Sequence, residues 1–512
     1  MRRAHVTGVS TAAVDSLPET YKVKATSGLK TRYRFGHNFT ARSVQRLANA
    51  RRPVRDYPSL TQAWSILLGV RDLFLIALYV VAVPASFLQP FVGVLFWAWI
   101  SYFNPQDFTW GLASHIPIGY LVAIPTVLGL AFTRIKQAPP LTLQTLLLVV
   151  LWLWFCLTTA NVFLSAELKH HSADTVAALW QVSKTFAMFL IALMLITDFQ
   201  RLRWWYLVTG GSFALFALKI GLWGVATGGA FRAYGPRNSM IYDNNDFGVA
   251  MNMALPMFIG LAKTERSRWL ARCFKAAVPM GIIAVILTYS RGALLGLVVV
   301  LAAMVMKSRR RLPALIAALV LAAIVFVAAP GKWVERMQTL RDVNQDQSAQ
   351  ARFHSWTFSY RLVRNHPVLG GGFQTHTPEL YLRYNIKTDH VQGPHSIYFQ
   401  VLGEHGFPGL MLFLLLAFSS WWSGGKLARH FLQHSEFTGS EESRELYEYA
   451  KMVQLSLIPF LISGAFLGLA YFDLYYQLVA TVVLLKSFAQ RLDWSPVTEE
   501  VAEENSIPAL AN

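Results

Sequence analysis

Charged residues are scarce in this chain of 512 residues. Asp, Glu, Lys and Arg make up 14% of it, against about 25% in a typical soluble domain, and 54% of the residues are hydrophobic. Apolar runs of about 20 residues, the length that a helix needs to cross a bilayer, recur along most of the sequence. The composition excludes a soluble globular protein and predicts an all-α, polytopic integral membrane protein.

Patterns typical of several other functions are also missing. The only cysteines, Cys156 and Cys273, lie far apart and predict neither a disulfide framework nor a metal site. The histidines lack the spacing of metal ligands, and there is no Asp-x-Asp motif or Walker-type phosphate loop. We therefore expect no metal, no cofactor and no nucleotide donor. The first 60 residues lack the apolar stretch of a cleavable signal peptide. The sequence also has no internal repeat of the kind from which many transporters are built.

The net charge of +18 is distributed in a way that favours membrane topology over nucleic-acid binding. Lys and Arg are concentrated in alternate short loops, as expected of cytoplasmic loops. The pattern predicts about twelve crossings with both termini inside and no nucleic-acid partner. The apolar stretches lie at 73–103, 117–133, 141–163, 175–197, 204–226, 246–262, 275–289, 293–306, 313–329, 397–418, 452–470 and 472–486.

The first apolar stretch is interrupted by proline. Pro84 and Gln89-Pro90 divide residues 73–103 into two pieces, although the charge pattern requires an odd number of crossings there. Prolines are tolerated in membrane helices where neighbouring groups satisfy the backbone. We expect one full span and one re-entrant or interfacial piece.

The chain divides into four predicted parts. Residues 1–70 are basic and are expected to be a disordered cytoplasmic segment, followed by an N-terminal transmembrane module at 71–200. A second transmembrane domain follows at 201–490, and a disordered cytoplasmic tail at 491–512. Within the second domain, residues 330–395 form one long outward loop, which is unusual enough in length to indicate a function. Its aromatic residues predict short helices at the bilayer surface.

Arg291 is the first candidate for a functional residue. It lies in a tight outward turn, Thr288-Tyr289-Ser290-Arg291-Gly292, between two apolar helices, against the positive-inside rule. Snorkelling of the side chain to the interface is one interpretation. The other is anion binding, because a guanidinium matches the geometry of phosphate oxygens. Arg232 and Arg237 lie in the preceding outward loop. An ordinary charged loop explains these two arginines about as well as anion binding does.

His395 is the second candidate, since it lies where the long loop meets an apolar helix. It could be a simple interfacial histidine, or a general base, because its ordinary pKa is close to neutral pH. Glu404 and His405 follow on the same predicted helix and are expected to form a supporting polar network. Their partners would be each other, or the lysines Lys184 and Lys219 within other apolar spans.

Four segments occur in an order that resembles the O-antigen ligase and polymerase family of bacterial membrane glycan transferases. They are Arg232 to Asn245, Tyr289-Ser290-Arg291-Gly292-Ala293-Leu294-Leu295, the run ARFHSWTFSYRLVRNHPVLGGGF at 351–373, and Gly393 to Gly409 around His395. The run from Arg71 to Gly111 resembles the leading module of the exosortase-associated putative O-glycosylation ligases. Together these segments cover roughly residues 71–490.

This resemblance implies transfer of a glycan from undecaprenyl diphosphate to an acceptor hydroxyl, at the periplasmic face of the bacterial inner membrane. The acceptor would be lipid A-core, a protein or another glycan. His395 matches the family's essential histidine, and Arg291 and Arg232 match arginines that hold the donor diphosphate. Substrate-binding candidates in the same motifs are Arg237, Asn245, Ser290, Arg352 and Tyr398. Ser396 stands where the protein-glycosylating branch often has asparagine, so the acceptor class stays open.

Two alternatives remain at this point. A polysaccharide polymerase shares the architecture and the lipid-linked donor, and differs from a ligase in the acceptor. A secondary transporter or flippase would suit twelve crossings with embedded Lys184, Lys219 and Glu404. The missing repeats and the long outward loop disfavour it.

Overall fold

The computed structural model describes residues 69–308, 310–313, 315–316, 319–320, 347–386 and 391–492. The chain forms two units, Met1–Ala63 and Trp64–Asn512, and every described residue belongs to the second. The predictions of a disordered N-terminal segment and C-terminal tail fall almost entirely outside the described residues. Most of the predicted span 313–329 does so as well.

The regular structure of the described residues is helical, with no β-strand among them. Three single turns of 3-10 helix, at Pro105–Phe108, Leu112–His115 and Lys169–His171, connect longer elements. The α-helices, in chain order, are α1 (Val70–Leu88), α2 (Pro90–Phe103), α3 (Ile118–Phe132), α4 (Leu143–Leu164), α5 (Ser172–Leu195), α6 (Phe199–Ala226), α7 (Asn244–Thr264), α8 (Arg268–Leu287), α9 (Arg291–Met306), α10 (Gln347–Asn365), α11 (Pro378–Arg383), α12 (Ile397–Thr438), α13 (Glu441–Gly464) and α14 (Asp473–Ala489).

Seven segments in the described residues are long and apolar enough to cross a membrane. They contain α1, α4, α5, α6, α7, α8 and α12, and α2, α3 and α9 are shorter apolar helices. The prediction of an all-α, multi-pass membrane protein is therefore confirmed, whereas the number of twelve crossings stays a prediction. The proline-divided stretch forms two helices, α1 and α2, separated by Gln89 alone.

Helix α7 lies at the centre of the bundle and is buried along most of its length, whereas α1 is largely exposed. Small residues allow neighbouring helices to approach α7 closely, as is common between membrane helices. A Cβ at Gly248 would lie 2.5 Å from the Ala293 Cβ of α9, and one at Gly260 would lie 2.6 Å from Met452 Sδ of α13. These glycines bring α9 and α13 against α7.

Helix α12 has 42 residues and a kink at Gly406, whose φ of 69° is left-handed. Its length of roughly 60 Å exceeds the hydrocarbon thickness of a bilayer, about 30 Å. The predicted span ended at residue 418, with Lys426 and Arg429 in a following loop. The loop assignment is wrong, because the helix continues through both residues to Thr438.

The predicted long loop contains two helices, α10 and α11, which confirms its expected helical content for the described residues. A glycine-rich turn after α10 attaches this region to the kink of α12. Gly371 N donates to Gly403 O over 2.8 Å, Gly372 N to Glu404 O over 2.8 Å, and Phe407 N to Pro367 O over 2.9 Å. The kink frees backbone groups of α12 that an unbroken helix would use internally. Helix α10 is thereby joined to the helix that follows His395.

Candidate functional site

Arg291 is the first residue of α9, and its backbone position is fixed by capping. Ser290 is the N-cap, and its Oγ accepts a hydrogen bond from Ala293 N over 3.2 Å. Tyr289 before it has a left-handed φ of 54° and donates from its hydroxyl to Gly229 O over 2.7 Å. Arg291 therefore stands in the first turn of α9, at the positive end of the helix dipole, which favours an anion.

Arg232 lies beside this turn. Its guanidinium carbon is 5.6 Å from the centre of the Tyr289 ring, and the next backbone N, of Ala233, donates to Leu287 O over 2.8 Å. Burial raises the pKa of the Tyr289 hydroxyl, and the nearby Arg232 charge opposes that increase. The structure thus brings the loop of Arg232 to the helix end of Arg291, as the sequence predicted.

Residues 465–472, which connect α13 to α14 and are called the bridging loop below, lie against Gly292 at the start of α9 and against the backbone of His395. At the end of α13, Ser463 Oγ donates to Gly292 O over 3.0 Å. A Cβ at Gly292 would lie 3.4 Å from Phe466 Cβ, and one at Gly468 would lie 3.7 Å from His395 N. One short connection therefore contacts the start of α9 and the residue before the cap of α12.

His395 has a left-handed φ of 44°, and its neighbours hold it there. Three backbone carbonyls before it accept side-chain hydrogen bonds from the α10–α11 region. Ser355 Oγ donates to Gly393 O over 2.9 Å, Trp356 Nε1 to Pro394 O over 3.0 Å, and Tyr381 Oη to Gln392 O over 3.0 Å. An uncommon backbone conformation held by its surroundings is typical of functional positions.

The electrostatic environment of His395 favours its neutral form. Burial lowers the pKa of the imidazole, the positive charge of Arg352 lowers it further, and the carboxylate of Asp243 raises it. A neutral imidazole can accept a proton near pH 7, as a general base must. Asp243 is also the N-cap of α7, accepting from Asn245 N over 2.8 Å. Because Asp243 is in the loop of Arg232, a negative charge of that loop acts on His395.

The other predicted substrate-binding residues differ in their surroundings. Asn245 donates from its side-chain amide to Asp243 Oδ1 over 2.7 Å, at the start of α7. Tyr398 points away towards α13, where its hydroxyl donates to Leu461 O over 2.7 Å. Arg237 is exposed, and its carbonyl accepts from Asn104 Nδ2 over 2.5 Å. Ser290 caps α9 as described. The charge of Arg352 acts on His395 directly, and Asn245 contacts Asp243, whose charge also acts on His395.

A polar network lies behind the site. The Tyr471 hydroxyl donates to the Glu404 carboxylate, which also accepts from Gln374 N over 3.1 Å. His405 Nε2 is 2.8 Å from the same hydroxyl, and its Nδ1 is 2.8 Å from Thr158 Oγ1. The expected network of Glu404 with His405 is therefore present, through Tyr471.

The lysines proposed for that network lie elsewhere. Lys184 packs against the Tyr120 ring and Lys219 against the Phe108 ring. Sequence reasoning missed Tyr471, which no local motif distinguishes, and it included Asp243 in the segment Arg232 to Asn245 without singling it out. Within the described ranges, no group of three or more His, Cys, Asp or Glu side chains is arranged to hold a metal ion.

Comparison with protein families matches two consecutive parts of the chain. Residues 276–414, which include Arg291, Arg352 and His395, match the family model described as O-antigen ligase. This part of the chain is an O-antigen ligase domain. Residues 70–264 match a family of unknown function, DUF5935. No curated protein matches the chain.

The match supports a glycan-processing function of ligase or polymerase type and indicates a glycosyltransferase-like enzyme. Its partners are, in general, a lipid-linked glycan and an acceptor. Arg232, Arg237 and Asn245 belong to the other matched part, the one of unknown function. The contact of Arg232 with Tyr289 therefore shows that the two matched parts meet at the candidate site.

Proposed function

We propose that the protein transfers a glycan from undecaprenyl diphosphate to an acceptor hydroxyl at the periplasmic face of the inner membrane, as an O-antigen ligase. Lipid A-core, a protein or a polysaccharide would supply the hydroxyl. The observation that carries the proposal is the bridging loop, which contacts both the start of α9 at Gly292 and the backbone of His395. The bridging loop thereby holds the start of α9, which carries Arg291, and the backbone of His395 in one arrangement.

Arg291 and Arg232 are proposed to bind the donor diphosphate. The leaving group carries increasing negative charge in the transition state, and preorganised cations at a low-dielectric border stabilise such charge strongly. The positive end of the α9 dipole contributes to the same effect. Arg237 and Asn245 would contact the donor from the loop before α7. Ser290 and Tyr398 would support donor binding indirectly, since Ser290 caps the start of α9 and Tyr398 bonds to the backbone of α13.

His395 is proposed as the general base. It takes the proton of the acceptor hydroxyl while that oxygen attacks the anomeric carbon. The bond from the anomeric carbon to the diphosphate oxygen then breaks, and undecaprenyl diphosphate leaves with that electron pair. This is a single displacement, so the anomeric configuration is inverted. No metal takes part in the proposed reaction, because the arginines stabilise the charge of the leaving group. Arg352 supports the reaction by favouring the neutral form of His395.

Transfer by purified protein from a lipid-linked glycan donor tests these roles. His395→Ala should lose the reaction at every donor concentration, because proton transfer contributes about 10²- to 10⁴-fold. Arg291→Ala should lose most activity at low donor concentration, and Arg291→Lys should recover only part, since an ammonium cannot form a bidentate contact. Near wild-type transfer by His395→Ala would contradict the base assignment.

A polymerase would use the same site with a growing glycan as acceptor. Deletion of the gene distinguishes the two activities in cells. A ligase deletion should leave intact polymer on undecaprenyl diphosphate, whereas a polymerase deletion should leave single repeat units attached to the acceptor. The ligase assignment predicts the first result.

A further inference from the structure

A second site lies at the end of α9 opposite Arg291. A cavity of about 740 Å³ opens after Met306, where α9 approaches α12 and α13. The sixteen residues of α9 separate it from the Arg291 end by roughly 24 Å. Its size is within the range of ligand pockets, about 300–1,000 Å³. The described residues that line it are Met306, Lys307, Ser308, Arg311, Trp421, Trp422, Gly425, Ala428, Arg429, Leu432, Tyr447, Lys451 and Gln454.

The charged residues of this lining are all cationic. Lys307 and Arg311 follow α9, Arg429 is on α12 and Lys451 is on α13, and the described lining contains no Asp or Glu. Burial lowers the pKa of the Lys307 ammonium group, and the charge of Arg429 lowers it further. Cations from three separate elements therefore converge on one space, where an anion would relieve their repulsion.

The other wall of the cavity is apolar. Trp421 and Trp422 line it from α12, and Trp422 and Met306 are 50% and 64% exposed. Gly425 and Ala428, about one and two turns further along α12, line the cavity between the tryptophans and Arg429 without a large side chain. An exposed apolar surface joined to a cationic one fits a molecule with an anionic head and a hydrocarbon body.

We propose that this cavity binds an anionic phospholipid, with its headgroup phosphate between Arg311, Arg429 and Lys451 and its acyl chains along Trp422 and Met306. Scattered basic residues of cytoplasmic loops would need no shared cavity. A soluble phosphate would not use the apolar wall. Basic pockets between membrane helices on the cytoplasmic side bind the headgroups of anionic lipids in other membrane proteins. The site is separate from the proposed transfer site and does not depend on it.

Native mass spectrometry of the full chain, purified in mild detergent and mixed with phosphatidylglycerol or phosphatidylcholine, tests the proposal. The wild type should retain phosphatidylglycerol in preference to phosphatidylcholine. The triple variant Arg311→Gln/Arg429→Gln/Lys451→Gln should bind phosphatidylglycerol roughly 100-fold more weakly, because it loses three cations that would attract the headgroup. The control Arg134→Gln/Arg268→Gln/Arg272→Gln removes the same charge elsewhere and should bind like the wild type.

Two further measurements keep the proposal falsifiable if the triple variant does not fold. Arg311 is exposed, so Arg311→Glu should leave the fold intact and still weaken phosphatidylglycerol binding. Brominated phosphatidylglycerol should quench tryptophan fluorescence less in Trp421→Phe/Trp422→Phe than in the wild type. Equal lipid retention by the triple variant and its control would overturn the proposal. So would displacement of the lipid by millimolar inorganic phosphate, which would indicate a simple anion site.

Discussion

The hydroxyl of Tyr471 donates a hydrogen bond to the carboxylate of Glu404, 67 residues earlier in the chain. Tyr471 belongs to the bridging loop, which contacts Gly292 and His395, and Glu404 belongs to the first part of α12, which follows His395. The bond therefore ties the loop between the two proposed catalytic groups to the helix that carries one of them. His405 Nε2 contacts the same hydroxyl over 2.8 Å.

Removal of this hydroxyl should destabilise the protein measurably. Tyr471→Phe leaves the buried Glu404 carboxylate with one fewer donor, and an unsatisfied buried polar group costs about 1–3 kcal/mol. We expect a lower midpoint of thermal unfolding in detergent and weaker glycan transfer, since the bridging loop loses its anchor. Tyr360→Phe removes a hydroxyl from a tyrosine that is 53% exposed and serves as the control. Identical midpoints for the two variants would show that the bond does not stabilise the fold.

The kink of α12 offers a comparison between two glycines that share a positive φ but differ in ψ, which is −174° at Gly406 and 4° at Gly439. Gly406 and Gly439 have φ values of 69° and 68°. A Cβ at Gly406 would lie 2.2 Å from Val368 O, whereas one at Gly439 would have no atom within 4 Å. Alanine at Gly439 incurs the left-handed penalty, about 1–2 kcal/mol, whereas the φ and ψ of Gly406 fall in a region that is essentially confined to glycine. Gly406→Ala should be the more destabilising, because it also separates α12 from the turn after α10.

Thermal unfolding of both alanine variants measures that difference. The stability lost by Gly439→Ala reports the penalty of the left-handed backbone, and any additional loss in Gly406→Ala reports its more restricted backbone together with the contact with Val368. Proteolysis within residues 347–386 should also become faster in Gly406→Ala only. Equal stability of the two variants would mean that the glycine-rich turn does not depend on the kink.

The membrane class and most of the helices could be predicted because they depend on local properties. Apolar runs determine the helices, and Ser290 before an apolar stretch is a recognisable N-cap. Helix ends near charged residues were less predictable, as Lys426 and Arg429 show. Those side chains lie on a helix that extends beyond its apolar part, and charge alone does not end a helix.

Part of the candidate site could also be predicted. The order of the motifs indicated that Arg232, Arg291 and His395 act together, and the contacts of Tyr289 and of the bridging loop support this. Tyr471 and Asp243 could not be recognised in advance. Each acts on a residue far away in sequence, and a contact of that kind leaves no periodicity or spacing in the chain. Their importance follows only from the packing of α7, α12 and α13.

Trp356 should affect catalysis more than stability. Its Nε1 donates to Pro394 O over 3.0 Å, and its ring stacks on Phe399 at a centroid distance of 5.2 Å. Trp356→Phe keeps an aromatic ring for stacking and removes the donor that holds the residue before His395. Because small misplacements of a catalytic group cost up to about 10²-fold, we expect kcat to fall roughly tenfold or more while the unfolding midpoint changes little. Phe353→Leu, on an exposed neighbour, should retain wild-type kcat.

The pH dependence of transfer tests the charges around His395. Since burial and Arg352 lower its pKa below the ordinary 6.5, His395 should be neutral at pH 7 and activity should fall only as the pH decreases through that lowered value. Arg352→Gln removes a positive charge, so the pKa should rise and the acid limb of the kcat/KM profile should move to higher pH. Asp243→Asn removes a negative charge, so the acid limb should move to lower pH.

The opposite directions of these two shifts distinguish an electrostatic role from a structural one. Asparagine is as good an N-cap as aspartate, so Asp243→Asn should still accept from Asn245 N at the start of α7 and keep the fold. Damage to the site would lower activity at every pH without moving the limb. Shifts in the same direction for Arg352→Gln and Asp243→Asn would mean that a group other than His395 governs the acid limb. In that case His395→Ala would lower activity without abolishing the limb, and the base would have to be sought among its neighbours.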